Sequence, residues 1–390
     1  MINLILFEYK KFLKRKKNII SFSLFFILIV GYVIINNSID QEKAKLVEKN
    51  YKLELDSAQD GLRNFQNRDD IPDVEKIINE QKEIISFFEE RQKAHTRGDW
   101  ETELQMQIEI DKKILEGVRR GTIISGEDTP SIQERIQKNE ILLSKNIKPI
   151  IEDNSMESYN FLKLIIKDIF PLMLVILILI LAGDVVSNEN DDGTFKFLLL
   201  QPISRSKIIL SKILAISSIC IFSIFLILAI MFIGLGIKFG LGNPHYPIKY
   251  FTGSYITPFN AAVGYNFEFV DIRVFILSLI PILILFIIAI VTLGILISTI
   301  IPNSTAAICT GIIVAVGVNI FYNQLNMFKR FAHINPLIYS NICELLNGNL
   351  LMKFDNRNLT ASNGIIVLLC FTLICIIVSL IFFRKRDITC

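Results

Sequence analysis

Five stretches of this chain run long enough without a charged side chain to matter in a bilayer: residues 19–36, 169–183, 213–237, 274–328 and 358–383. About 20 apolar residues cross the hydrocarbon core as a helix. Residues 274–328 are too long for one crossing, and Ile301-Pro302-Asn303-Ser304 divides them into two. Residues 169–183 are short, but their helix can extend outward with Lys163 and Lys167 snorkelling to the headgroups. The count is six. Hydrophobic residues make up 52% of the 390 and come in blocks, so the expected fold class is an all-α integral membrane protein.

Basic residues set the orientation. Lys10, Lys11, Lys14, Arg15, Lys16 and Lys17 precede the first span, Lys196, Arg205, Lys207 and Lys212 join the second to the third, and Arg384-Lys385-Arg386 follow the last. All thirteen fall on one side of a six-span chain, against seven in the two short loops opposite. Both termini are therefore expected in the cytoplasm, with the chain multi-pass in the plasma membrane. The length of the first apolar stretch, and an exit at Ile35-Asn36-Asn37-Ser38-Ile39-Asp40 without a small-x-small cleavage pattern, predict a retained anchor rather than a signal peptide.

The resulting plan has a cytoplasmic amphipathic helix at 1–18 and spans at 19–36, 161–183, 208–237, 272–301, 305–323 and 358–383. A helical extracellular domain occupies 37–160 and a cytoplasmic segment 184–207. An extracellular loop follows at 238–271, an extracellular or re-entrant element at 324–357, and a cytoplasmic tail at 384–390. In the outside domain, Val74, Ile77, Ile78, Ile84, Ile85 and Phe88 recur at helical spacing, as do Trp100, Leu104, Ile108, Leu115 and Val118. Thr129-Pro130-Ser131 with Glu134 reads as a helix start with a Ser-x-x-Glu capping box. Turns are expected at 69–73 and 120–128, giving three or four helices packed as hairpins.

The net charge of +3 hides an asymmetry: residues 37–160 carry 27 acidic and 19 basic side chains, a balance of −8, so the remainder is +11. That remainder sits at span ends and suits anionic lipid headgroups, not nucleic acid. His95, His245 and His333 have no metal-ligand partner at i+3 or i+4, and the six cysteines lack metal spacing. The pairs Asp69/Asp70 and Asp191/Asp192 lie in turn-like contexts and read as solvated acids. No G-x-S-x-G, H-E-x-x-H or G-x-x-x-x-G-K-[ST] pattern occurs. The chain is expected to be no enzyme, to hold no cofactor, and to leave any ATP and Mg to a partner. Asp168 and Asp184 come nearest to intramembrane charge, each at a span end where water is expected to reach it. Hydroxyl and amide residues inside the spans, such as Ser217, Ser298, Thr310 and Asn319, read first as helix packing and second as cavity lining.

The polar island between spans two and three is the most informative local feature. Glu189, Asp191 and Asp192 lead to Gly193-Thr194, then to an apolar run with Phe195, Leu198, Leu199 and Leu200, and Pro202-Ile203-Ser204-Arg205 opens the next span. Residues 188–212 resemble the cytoplasmic coupling segment of permeases of type-two ATP-binding-cassette exporters. Ser211-Lys212 stands where a Gly-Lys pair is common in that family. The resemblance implies two nucleotide-binding ATPase subunits and a second permease, identical or homologous, as partners. It also implies that Phe195, Leu198 and Leu199 seat in a groove on the ATPase, with Asp191, Asp192, Lys196 and Arg205 at the rim.

Three functions fit. Export of an amphipathic or hydrophobic solute (a peptide antibiotic, toxin or lipid-like compound) leads, because the spans carry almost no charge. Sodium export would require Asp168 or Asp184. A non-transporting sensor or mechanotransmission complex would use residues 37–160 to bind an extracellular ligand.

Overall fold

The computed structural model describes residues 1–66, 74–123, 126–150, 155–194, 204–256, 264–324 and 326–385. The chain divides into two compact units, Met1–Ile34 with Glu157–Gly242 and Arg273–Cys390, and Ile35–Met156 with Asn243–Ile272.

Among the described residues, six helices are long and apolar enough to cross a membrane: Lys16–Asn64, Ser158–Asp191, Arg205–Phe239, Ile272–Ile300, Ser304–Tyr322 and Ala361–Lys385. These are referred to below as spans 1 to 6. Helix is the form such segments must take, since hydrocarbon offers no partner to an unpaired backbone group. The first helix runs unbroken from Lys16 to Gln66, well beyond the expected span end. The polar exit at 36–40 contains no glycine or proline to stop it, and helix-forming Gln, Glu, Lys and Ala follow.

The N-terminal helix is shorter than expected, covering Ile2–Lys14, and ends at Arg15 in extended backbone (φ −76°, ψ 113°). Asn18 Nδ2 donates to the Phe12 carbonyl at 2.9 Å and fixes this corner. Ile2, Leu6, Phe7 and Leu13 are exposed, whereas Glu8 and Phe12 are buried. The helix thus presents four large apolar residues outward and buries an acid beside Phe12.

Span 2 widens to a π-helix over Ile165–Leu174, with Pro171 inside it. Proline lacks the N–H of an ordinary turn and its ring crowds the carbonyl four residues back, and the wider turn relieves that clash. Spans 2 and 4 then approach closely. A Cβ built on Gly294 would lie 2.8 Å from Ala182 Cβ and 3.3 Å from the Ala182 carbonyl carbon. Gly294→Ala is therefore expected to cost about 1–3 kcal/mol by overpacking, read as a lower unfolding temperature in detergent.

Between spans 5 and 6 the chain forms short helical pieces, Asn326–Lys329, Ala332–Ile334, Pro336–Ser340, Ile342–Leu346 and Asn349–Phe354. Tyr339, fully buried, donates from its hydroxyl to the His333 carbonyl at 2.7 Å. Gly364 of span 6 leaves room for its ring, which a Cβ there would meet at 2.8 Å.

The second unit holds helices Val74–Arg97, Trp100–Arg120 and Thr129–Ser144 beside the part of the first long helix that follows Ile34. Ile108, Ile132 and Ile136 form a core joined by Ile114, Leu115 and Leu143. Asp99 caps the second helix, accepting from Thr102 N at 3.2 Å and Thr102 Oγ1 at 2.7 Å, and these bonds hold its carboxyl below the usual range. Gly121 ends that helix in the left-handed region (φ 74°). The third helix is capped by Asp128, not by Ser131 as the capping-box pattern predicts. Ser131 donates its hydroxyl to Asp128 at 2.5 Å, and Glu134 pairs with Lys249. The expected turn at 69–73 lies outside the described residues.

Residues 238–271 are not simply a loop. Strands β1 (Pro247–Ile256) and β2 (Gly264–Asp271) pair antiparallel, with Phe251 opposite Phe267 and an irregularity between Phe251 and Tyr255. Aromatic and β-branched side chains account for the pairing. Among the described residues this hairpin is the one sheet.

Candidate functional site

The polar island follows the helical stretch Val175–Ala182 within span 2, which is capped at Gly183. A one-turn helix, Ser187–Asp191, follows. Gly193 then takes φ +67°, a left-handed conformation that terminates a helix and that L side chains rarely adopt. Thr194 Oγ1 donates to the Glu189 carbonyl at 3.3 Å, satisfying an end-of-helix acceptor. The segment is also tied to span 4. Ser298 Oγ accepts from the backbone N–H groups of Val186 and Ser187, each at 2.9 Å, and lies 3.1 Å from Ser187 Oγ. Span 5 joins through Asp191, whose Oδ2 accepts from Ser304 N at 3.0 Å and so caps that helix.

Beneath this backbone sits a buried charge cluster. Lys212 of span 3 is wholly buried, with its Nζ 2.5 Å from Glu189 Oε1 and 2.8 Å from Glu8 Oε1. Glu189, 1% exposed, also takes Lys11 Nζ at 2.7 Å. Two carboxylates and two ammonium groups thus alternate through the N-terminal helix, the polar island and span 3. A second group lies beside it: Asp184 meets Lys17 at 2.6 Å and Arg15 at 3.6 Å, and Lys17 also donates to the Ile180 carbonyl at 2.7 Å. Charges taken out of water are tolerated only when paired with good geometry. Each acid here is held by cations from other elements, so the cluster fixes how those elements meet.

This corrects the expectation that water reaches Asp184: the residue is buried, at 4% exposed, and paired. Asp168 is exposed and accepts from Tyr32 at 2.5 Å.

The sequence-predicted site residues divide into four sets. Glu189 is an internal strut rather than a surface group. Asp191 and Asp192 are exposed, the first capping span 5 and the second accepting from Asn188 Nδ2 at 2.5 Å. Arg205, at the start of span 3, donates to the Arg384 carbonyl at 2.7 Å, while Arg384 donates to Ser206 Oγ at 2.8 Å. It therefore ties span 3 to the end of span 6. Phe195, Lys196, Leu198, Leu199, Leu200 and Pro202 lie outside the described residues. Sequence reasoning missed Glu8, Lys11, Lys17, Ser187 and Ser298. One signal was available: Glu8 is the lone acid among basic residues of the first helix, and it sits three residues before Lys11. Among the described residues, no group of three or more His, Cys, Asp or Glu is placed to hold a metal ion.

A family model described as "ABC-2 family transporter protein" matches residues 2–388, nearly the whole chain. The chain belongs to this family. Comparison with curated proteins gives no match. This ABC-2 permease is thus the multi-pass membrane component of an ABC transporter, and its family implies association with ATP-binding subunits. The component itself is a transport permease and not the catalyst. In the ABC-2 permease the buried cluster lies at the end of the spans where the polar island, the N-terminal helix and span 3 converge.

Proposed function

We propose that this permease exports an amphipathic or hydrophobic solute out of the cell, driven by two separate ATPase subunits that dock on residues 188–205 from the cytoplasm. A second permease, identical or homologous, completes the pore. ATP and Mg belong to the ATPase, whose closure pushes on the apolar run Phe195, Leu198, Leu199 and Leu200.

The observation that supports this reading is the buried cluster of Glu8, Lys11, Glu189 and Lys212. A push on a loop is dissipated unless the loop is rigidly joined to the elements that must move. Here it is joined to the N-terminal helix and span 3 by ion pairs, to span 4 by Ser298, and to span 5 by Asp191. A greasy cargo is supported by the spans' apolar surface. Sodium export has no comparable support, since Asp184 is already occupied by Lys17 and Arg15, and Asp168 stands exposed and accepts from Tyr32.

The second reading, a ligand-sensing complex, draws on one observation in the other unit. A cavity of about 500 Å³ there is lined by Tyr51, Phe88, Arg91, Asp111 and Arg135 among others. Reconstitution separates the two. The purified chain alone should hydrolyse no ATP above background, and co-expression with its ATPase should restore hydrolysis together with cargo uptake into inverted proteoliposomes. Robust hydrolysis by the chain alone would refute the export reading, and stimulated hydrolysis without flux would favour the sensor.

A further inference from the structure

The end of the spans opposite the charge cluster carries a cleft of about 1020 Å³ between the start and the end of the segment that joins spans 5 and 6. Lys329, Arg330 and Arg357 line it, with His333, and Asp355 is the one carboxylate among the lining residues. The cleft therefore carries a net charge of +2 with His333 neutral. Its shape is held by Asn356, 6% exposed, whose Nδ2 reaches the Lys329 carbonyl at 3.0 Å, the Arg330 carbonyl at 2.8 Å and His333 Nδ1 at 3.2 Å. One buried amide thus joins both walls, so the cations are presented by a built feature.

Two further residues of the lining point to what fills it. Phe331 and Ile334 are 54% and 60% exposed, directly beside the cations. Basic groups next to exposed large apolar side chains at a span end are the pattern of a membrane interface, with cations at headgroup depth and apolar groups among the acyl chains. The location is also notable for charge. The segment holds Lys329, Arg330, Lys353 and Arg357, four of the seven basic residues in the two short loops 238–273 and 324–357.

We infer that this cleft binds the phosphate headgroup of an anionic phospholipid of the surrounding bilayer, with Lys329, Arg330 and Arg357 on the phosphate and Phe331 and Ile334 against the acyl chains. On the orientation proposed above the lipid belongs to the outer leaflet. The test below uses a bilayer of the same composition on both sides, so it stands whichever way the chain is inserted.

The chain contains a single tryptophan, Trp100, which makes a local reporter simple. The full-length Trp100→Phe, Phe331→Trp variant is placed in phosphatidylcholine nanodiscs containing a small fraction of brominated lipid. Brominated phosphatidylglycerol should quench the tryptophan several-fold more than brominated phosphatidylcholine at the same mole fraction. Each Lys or Arg near an anionic surface multiplies such partitioning roughly fivefold, so Lys329→Gln with Arg330→Gln should abolish most of the difference. Lys353→Gln, the same loss of charge outside the cleft lining, should preserve it. Equal quenching by the two lipids would overturn the inference. So would a preference that survives unchanged in the Lys329→Gln, Arg330→Gln variant, which would place the lipid elsewhere. Should the double variant fail to fold, the comparison of the two lipids still decides.

Discussion

Lys212→Met should destabilise the permease by about 3–5 kcal/mol, the range for breaking a buried ion pair by removing one partner. Lys212 is wholly buried and serves both Glu8 and Glu189, which are themselves 6% and 1% exposed. Methionine matches much of the lysine stem, so the loss would come from charge and not from volume. Glu8 is then left buried without the cation, and Glu189 retains only Lys11. The measurement is the unfolding temperature of the purified chain in detergent, together with its level in the membrane. Removing the acids as well should restore much of the loss: the triple variant Lys212→Met, Glu8→Gln, Glu189→Gln leaves no buried carboxylate unpaired, and Lys11 is exposed enough to reach water. A triple variant no more stable than the single one would show that the cluster is not an electrostatic unit.

The spans were legible in the sequence because the bilayer imposes one demand, a long uncharged run, which 213–237 and 358–383 meet without ambiguity. The Pro302-Asn303-Ser304 turn was legible for the same reason, as a polar break in a run too long for one helix. The hairpin at Pro247–Ile256 and Gly264–Asp271 was not. Its Tyr250, Phe251, Tyr255 and Phe267 suit either an interfacial loop or a strand, and the pairing of Phe251 with Phe267 is a tertiary fact.

The charge cluster was legible only in part. A lysine such as Lys212, near the end of an apolar run, has the pattern of a snorkelling residue. What buries it is Glu8, 204 positions away in the chain, together with Glu189. Likewise Asp184 looked solvated because its cations, Lys17 and Arg15, arrive from a different helix. The motif residues Gly193 and Thr194 were readable, since a left-handed glycine and a hydroxyl bonded to a helix-end carbonyl are local needs. The internal role of Glu189 was hidden among acids that remain at the surface.

The claim that residues 188–205 take the push of an ATPase is tested most directly at Leu199. It lies in the middle of the apolar run and, on a helix, one turn from Phe195, so both would face the partner. Leu199→Asp would place a charge in a desolvated interface, where an unpaired ion costs several kcal/mol. Even about 3 kcal/mol would weaken binding of the partner by roughly a hundredfold. The position lies between spans 2 and 3, so the membrane level of the variant should be unchanged. The measurement is co-purification of the ATPase with the tagged permease, read beside cargo efflux from the same cells. The account predicts that the Leu199→Asp protein reaches the membrane normally and loses both. A variant that keeps its ATPase and still transports would mean that the segment is only a linker between two spans.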